Sequence, residues 1–403
     1  MKNANSGHTY KFLLICHSYP PVIGGSELEA QRVCEALMHR GHRVTVVCAG
    51  GKPMPPVKNW VDPKGVPVRI YARHWNGIFK NVVFALRVGC MLIWERRNYQ
   101  LVYFLMQGLH LAIGLPIARL LGKPVVMKIA GSGEVPRMQK SIAGRFELRM
   151  LQHWARRVMI LNEGMRQEAI AHGFAPEQLL WMPNPVDVNQ FAPPSNCVRQ
   201  ELRRRFGIPD TGLVVLYCGR LAPEKALPSL LDAFSLVVRE LEEAFLVLVG
   251  DGPLRCALEE QAKQLKLTDR NLRFAGSVDP DDVSLWLKVG DAFALVSFSE
   301  GFPCSLIEAM SVGLPSVASD IPANQQLIAN GKQGFLVPAG DSKTIAAALI
   351  YLLKNSDVRS RMGHAARQAM LESYSTSKVV ERYENLLRQT LEESSSCRIL
   401  SAL

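Results

Sequence analysis

The nine cysteines, at positions 16, 34, 48, 90, 197, 218, 256, 304 and 397, include no Cys-x-x-Cys pair. An odd, scattered set argues against a disulfide framework and against a thiolate zinc site, and it fits a reducing cytoplasm. Long apolar runs are missing too. The two strongest, VVFALRVGCMLIW from Val82 and LAIGLPIARLLG from Leu111, contain Arg87 and Arg119 and fall short of the about 20 residues that span a bilayer. The early run KFLLIC lacks the length of a secretory signal and soon meets Pro20 and Pro21, so it is expected as a first strand. No tract is biased enough in composition to stay disordered. Aromatic residues, 7% of the chain, are nowhere interleaved with basic ones in the way stacking platforms use, so nucleic acid is not expected as a partner.

What is present is a chain of 403 residues, longer than one hydrophobic core usually supports and suited to two domains. Its net charge of +11 is lopsided: residues 1–190 hold 24 Lys and Arg against 11 Asp and Glu, and the remainder is slightly acidic. Basic charge confined to one half suits an anionic partner such as a membrane surface or a phosphorylated lipid; the bland alternative is a general solubility charge.

Short β-branched runs alternate with helical periodicity, the pattern of a parallel sheet covered on both faces. In the first half KFLLIC, RVTVVCA, VPVRIYA, LVYFLM, PVVMKIA, RVMILN and QLLWMP read as strands, and 27–40, 79–97, 109–121, 140–154 and 164–172 read as helices. The stretch NPVDVNQFAPPSNC, residues 184–197, breaks the rhythm with prolines and turn formers and is expected as the linker. A second series of strands follows in LVVLYCG, FLVLVG, NLRFAG, AFALVS, LPSVAS and GFLVP, and beyond Asp341 the pattern is helical. The expected α/β domains are 1–190 and 191–375, each a doubly wound Rossmann-like unit, with 376–403 as a C-terminal helix returning towards the first domain and ending in a frayed tail. Ligands of such sheets sit beyond the carboxyl ends of the strands, so the site is expected in a cleft between the domains.

Two segments carry the chemistry. Gly219-Arg220-Leu221-Ala222-Pro223-Glu224-Lys225 follows an apolar strand and precedes a helix expected to begin near Ala226. Two cations there would add to the anion preference of a helix N-terminus, with Arg220 taking a phosphate bidentately and Lys225 acting as a point charge. Glu300-Gly301-Phe302-Pro303-Cys304-Ser305-Leu306-Ile307-Glu308 likewise runs from a strand into a helix, and its carboxylates are natural acceptors for sugar and ribose hydroxyls. Taken alone, the first string is as often a solvated pair of cations as a site, and carboxylates like those of the second are more often a solvated face.

Together these strings resemble the family 4 retaining glycosyltransferases of the group 1 superfamily. Glu300 and Glu308 match the family's Glu-x7-Glu pattern and GRLAPEKA its Gly-Arg-Leu-x-x-Glu-Lys element; GGSE at 24–27, NPVD at 184–187, GDGPL at 250–254 and GLPSVASD at 313–320 are further matches. The resemblance implies a GT-B fold and a UDP- or GDP-linked sugar donor as substrate, with no cofactor and no metal. It implies that Arg220 and Lys225 stabilise the donor diphosphate, that Glu308 holds the ribose and that Glu300 contacts the donor sugar. Gly24 and Gly25 fall on the diphosphate side, and Gly301, Phe302, Ser305 and Leu306 on the donor-binding turn. Two departures stand out: Ala130 occupies the place of a family His, leaving Gly131, Ser132 and Gly133 as substitutes, and PANQQ at 322–326 replaces a glycine-rich turn. GDGPLR lacks the third glycine of a dinucleotide fingerprint and is expected to shape the wall of the site. His17 and His110 read as structural, and Asp279-Pro280-Asp281-Asp282 reads as a helix start and not as a metal site.

The acceptor is expected to be a saccharide or a lipid-linked saccharide in cell-surface polysaccharide or glycolipid assembly. The alternatives are a soluble disaccharide or sugar-phosphate synthase or phosphorylase on the same fold, and a non-catalytic sugar-binding module. A membrane face is expected on the helix near 140–157, where Ile142, Phe146, Met150 and Trp154 recur every fourth residue beside Arg145, Arg149, His153 and Arg157. That face would make the protein cytoplasmic and peripheral on the membrane.

Overall fold

Unbroken apolar runs become the central strands of two sheets, because a parallel strand covered on both faces needs apolar side chains at every position. The structure is a computed structural model that describes residues 9–22, 25–51, 54–55, 57–75, 77–129 and 131–400. Residues 1–185 and 376–403 form one unit and residues 186–375 a second.

The first unit contains strands β1 (Lys11–Cys16), β2 (Arg43–Cys48), β3 (Asn59–Val61), β4 (Pro67–Ile70), β5 (Leu101–Leu105), β6 (Val125–Lys128), β7 (Arg157–Ile160) and β8 (Leu179–Trp181). Their order is β3-β4-β2-β1-β5-β6-β7-β8, with every pair parallel except the β3/β4 hairpin. β5 and β6 are buried throughout. The expected strands are all present, KFLLIC with its bounds unchanged and the others with their ends trimmed; β3 is the addition. Its three residues are too few to show a period, and the hairpin depends on Asp62, whose carboxylate accepts from the Lys64 and Val66 N–H groups.

Helices α1 (Gly25–His39), α2 (Gly77–Trp94), α3 (Leu109–Leu120), α4 (Glu134–Gln139), α5 (Ile142–Trp154) and α6 (Glu163–Ala171) connect these strands. Right-handed crossovers from β4 to β5, β5 to β6 and β6 to β7 put α2, α3 and α5 on one face of the sheet, where α2 packs on α3 and α3 on α5. The chain crosses the sheet the opposite way from β1 to β2, so α1 covers the other face.

In the second unit α7 (Asn196–Arg205) precedes β9 (Leu213–Cys218), α8 (Leu227–Glu240), β10 (Ala244–Val249), α9 (Arg255–Gln264), β11 (Leu272–Gly276), α10 (Val283–Leu287) and β12 (Ala292–Leu295). Then come α11 (Cys304–Val312), β13 (Ser316–Ser319), α12 (Pro322–Gln325), β14 (Gly334–Val337), α13 (Ser342–Lys354) and α14 (Ser356–Ala369). The all-parallel order β11-β10-β9-β12-β13-β14 reverses direction between β9 and β12, which is the topological switch point where such sheets bind ligands. α8 shows why these helices form: Leu227, Leu230, Leu231, Phe234 and Val237, at helical spacing, are all buried against the sheet.

The last helix, α15 (Thr376–Leu400), packs on α1 in the first unit. A buried charged cluster fixes it there. The Lys128 ammonium donates to the Glu29 carboxylate and to Asn184 Oδ1 (2.7 Å), and the Tyr383 hydroxyl of α15 donates to Glu29 Oε1 (2.7 Å). Each buried charge is thereby paired and hydrogen-bonded, the condition under which burial is tolerated. The second unit has a matching anchor in Arg203 of α7, buried and donating to the carbonyls of Val289, Asp210 and Gly212 and to Asp291 (2.7 Å).

Candidate active site

β9 ends at Cys218, and the chain leaves it through Gly219 at φ +154°, where a Cβ would lie 2.9 Å from the Tyr217 hydroxyl. That hydroxyl, on a fully buried ring, donates to the Arg220 carbonyl at 2.9 Å. The neighbouring loop after β10 supports the same turn. Leu221 N–H donates to Asp251 O (3.0 Å) and Leu254 N–H to Leu221 O (2.9 Å). A Cβ at Gly250 would lie 2.0 Å from Gly219 O and one at Gly252 2.5 Å from Leu221 O, so GDGPL is a backbone buttress that only glycine permits.

The helix expected near Ala226 begins differently. Pro223–Lys225 form a 3-10 turn, Ala226 adopts a left-handed conformation (φ 49°, ψ 33°), and only then does α8 start. Lys225 therefore sits on a tight turn ahead of the helix, its N–H bonded to Ala222 O. Arg220 is well exposed and pairs with Glu224 at 2.5 Å. The Glu224 carboxyl is held below its ordinary value, first by a backbone N–H at its own position and then by Arg220.

The second segment meets the first because β12 pairs directly with β9. Phe298 N–H donates to Glu224 O (2.8 Å), tying the two loops together. Lys225 Nζ lies 2.7 Å from Glu300 Oε1, and the buried Ser297 hydroxyl donates to the same oxygen at 2.6 Å. With its side chain only 8% exposed, Glu300 is held in place by an ammonium and a hydroxyl. Glu308, half-buried in the second turn of α11, faces the end of β9: the Cys218 thiol is pushed up to about 12, by burial first and by the Glu308 carboxylate second. Residues 75 positions apart, Lys225 and Glu300, thus touch at the switch point of the sheet.

The remaining residues expected on a donor-binding turn divide. Gly301 and Ser305 are half-buried at the head of α11. Phe302 is buried with its ring centroid 6.3 Å from that of Tyr374. Leu306 is fully buried and its N–H bonds to Pro303 O at 3.0 Å, so it packs the core beneath the turn. Ser297 and Tyr217 have no signal in the sequence that marks them, since each acts through another residue, whereas the buttressing glycines fall in the GDGPL string already singled out. Asn324 of PANQQ is buried and donates to Ser319 O (2.8 Å). Asp279 Oδ1 accepts from the Asp281 N–H (3.0 Å), and no cluster of metal-ligating side chains occurs among the described residues.

In the first unit Gly25 is the exposed first residue of α1, while Gly24 and Ala130 lie outside the described residues. Gly133 caps α4, with its N–H donating to Glu168 (3.0 Å). His17 Nε2 is 3.0 Å from Asn81 Oδ1. His110 is buried against Phe84 and Phe104, and burial lowers its pKa to about 3, with His17 a smaller cause, so it stays neutral at ordinary pH. On α5 the expected stripe splits: Ile142, Phe146 and Trp154 are exposed and Met150 is buried. Arg145 and Arg149 are exposed, but Arg157 is not on the helix; it opens β7 and pairs with Glu393 of α15 at 2.7 Å, which removes it from the expected membrane face.

Residues 198–369 match the family Glycosyl transferases group 1, and residues 24–185 match the Glycosyl transferase 4-like domain. N-acetyl-alpha-D-glucosaminyl L-malate synthase of Bacillus anthracis is 30% identical over 199 residues, covering 49% of this chain and 51% of that protein. Phosphatidyl-myo-inositol mannosyltransferase of Mycobacterium leprae is 34% identical over 186 residues, covering 45% and 48%. The chain thus spans about half the length of these curated relatives. Among solved structures, Alr3699/HepE of Anabaena in complex with UDP and glucose superposes with a TM-score of 0.79 at 20% identity, covering 94% of this chain and 100% of that one. With both halves matched and two Rossmann-like sheets in place, the chain belongs to the group 1 glycosyltransferases and has the GT-B fold.

Proposed function

We propose that the protein moves a sugar from a nucleoside-diphosphate donor, UDP- or GDP-linked, to a saccharide or lipid-linked acceptor, with retention of configuration and without a metal ion. The observation that carries this reading is the convergence of Arg220, Lys225, Glu300 and Glu308 at the β9/β12 switch point. Lys225 and the exposed Arg220 supply positive charge for a diphosphate, the electrostatic work that a metal ion does elsewhere. The bond from the anomeric carbon to the diphosphate oxygen breaks with its electron pair going to that oxygen. An acceptor hydroxyl oxygen bonds to the same face of the anomeric carbon, and its proton passes to the departing phosphate. Glu300, paired with Lys225, is assigned to the donor sugar and Glu308 to the ribose.

One relative is named for L-malate and the other for phosphatidyl-myo-inositol, so soluble and lipid partners both occur in these names. The basic first unit supports the lipid-linked acceptor, with action in the cytoplasm at a membrane surface. Incubation with a panel of UDP- and GDP-sugars, following release of nucleoside diphosphate, tests the reading. We expect release from one donor class, undiminished by EDTA. Loss in EDTA with rescue by Mg²⁺ or Mn²⁺ would overturn the metal-free assignment, and failure of every nucleotide sugar to bind or react would overturn the transferase.

A further inference from the structure

We infer that the outer side of the α2–α3–α5 layer is a docking face for an anionic lipid bilayer. This deepens the lipid-acceptor reading by naming the surface and its partner, though the surface itself is read from α2 and not from that chemistry.

α2 is apolar on two opposite sides. Phe84, Ala85, Val88, Met91 and Leu92 form its buried stripe, which already satisfies the packing of a surface helix. On the far side Phe79, Leu86, Cys90 and Ile93, separated by seven, four and three residues, all stand exposed. At the two ends of the helix Ile78 and Trp94 are 79% and 81% exposed, and Phe79 is 70% exposed. A helix covering only the core would carry polar residues there. α3 adds Leu120, and α5 adds Ile142 and Phe146.

The charges around this surface select the occupant. α2 contains Lys80 and Arg87 but no Asp or Glu; Arg96 and Arg97 follow it, Arg119 lies on α3, and Arg145 and Arg149 lie on α5. The nearby acids are already engaged: Glu95 pairs with Arg69, Glu134 with Arg137, and Glu147 accepts from the Gly108 N–H. A second copy of the same face would bring like cations together, so self-association is opposed. Anionic headgroups neutralise them, at about fivefold in partition per cation near the surface. Because one stripe of α2 is committed to the core, the helix lies in the plane of the interface with only its outer stripe in the acyl boundary. Trp94 and Trp154 suit the headgroup level.

The experiment is co-sedimentation of the full chain with vesicles of phosphatidylcholine carrying graded phosphatidylglycerol, at low and high salt. Wild type is expected to bind increasingly with phosphatidylglycerol and to release in salt, and brominated acyl chains should quench its tryptophan fluorescence less in Trp94→Phe. The triple variant Phe79→Ser/Leu86→Ser/Ile93→Ser should lose about tenfold or more in lipid affinity. Arg96→Glu/Arg97→Glu should abolish the dependence on phosphatidylglycerol. Wild type that ignores phosphatidylglycerol, or a triple variant that sediments like wild type, overturns the docking face. So does a wild-type dimer in light scattering that the triple variant converts to monomer. Donor turnover in solution is measured on the same samples: docking lost with turnover kept locates the face, whereas docking kept in a protein that turns over no donor overturns the transferase reading alone.

Discussion

The two units share one winding, with the strand order reversing beside the first strand and one buried cation anchoring a helix, yet they finish their outer surfaces differently. Among the described residues, fourteen of the eighteen exposed large apolar side chains lie in the first unit; the second exposes Val198, Phe298, Tyr351 and Leu371. Charge divides the same way, with the basic excess in residues 1–190. A doubly wound sheet demands that inner helix stripes be apolar but leaves outer stripes free. The second unit uses that freedom for ordinary polar helices and gathers its candidate site residues at the strand ends, and the first unit keeps an apolar, basic outside.

The comparison can be broken most severely inside the first unit. Lys128→Ala leaves Glu29 buried beside Tyr383 without its cation and should cost about 3–5 kcal/mol of stability, read by denaturant unfolding. A loss under about 1 kcal/mol would mean that the cluster does not hold α15. In the second unit Lys225→Ala, and separately Arg220→Ala, should raise the barrier to transfer by about 3–4 kcal/mol while leaving vesicle binding unchanged. Retention of kcat/KM within threefold in both variants would remove these residues from the diphosphate site.

A finer division lies between the two carboxylates. Glu308→Gln should weaken the free nucleoside diphosphate by about 1.5–3 kcal/mol, the worth of a hydrogen bond to a charged group, measured by calorimetry. Glu300→Gln removes a negative charge beside Lys225 and so should not weaken that binding, while turnover falls. Equal weakening in both would contradict the separate roles.

Much of this was legible in the chain. The strands announced themselves as continuous apolar runs, and the charged strings at strand ends pointed to the two segments that the fold brings together at the switch point. The start of α8 was not legible, because nothing local announces that Ala226 turns left-handed after a 3-10 turn. The burial along the α5 stripe was not legible either. The four-residue spacing names the apolar side chains of one strip but not their cover: Ile142, Phe146 and Trp154 stand exposed, and Met150 between them is buried.

By itself the sequence determined what depends on neighbours in the chain: which runs become strands, where turns interrupt them, and that one half is basic. Only the tertiary structure decided that Lys225 meets Glu300 and Ser297, that Gly250 and Gly252 buttress Gly219 and Leu221, and which of the two apolar stripes on α2 is core. Those outcomes depend on which strands lie side by side and which helix face meets the sheet. A hydrophobic pattern states that a side chain avoids water, not which surface will cover it.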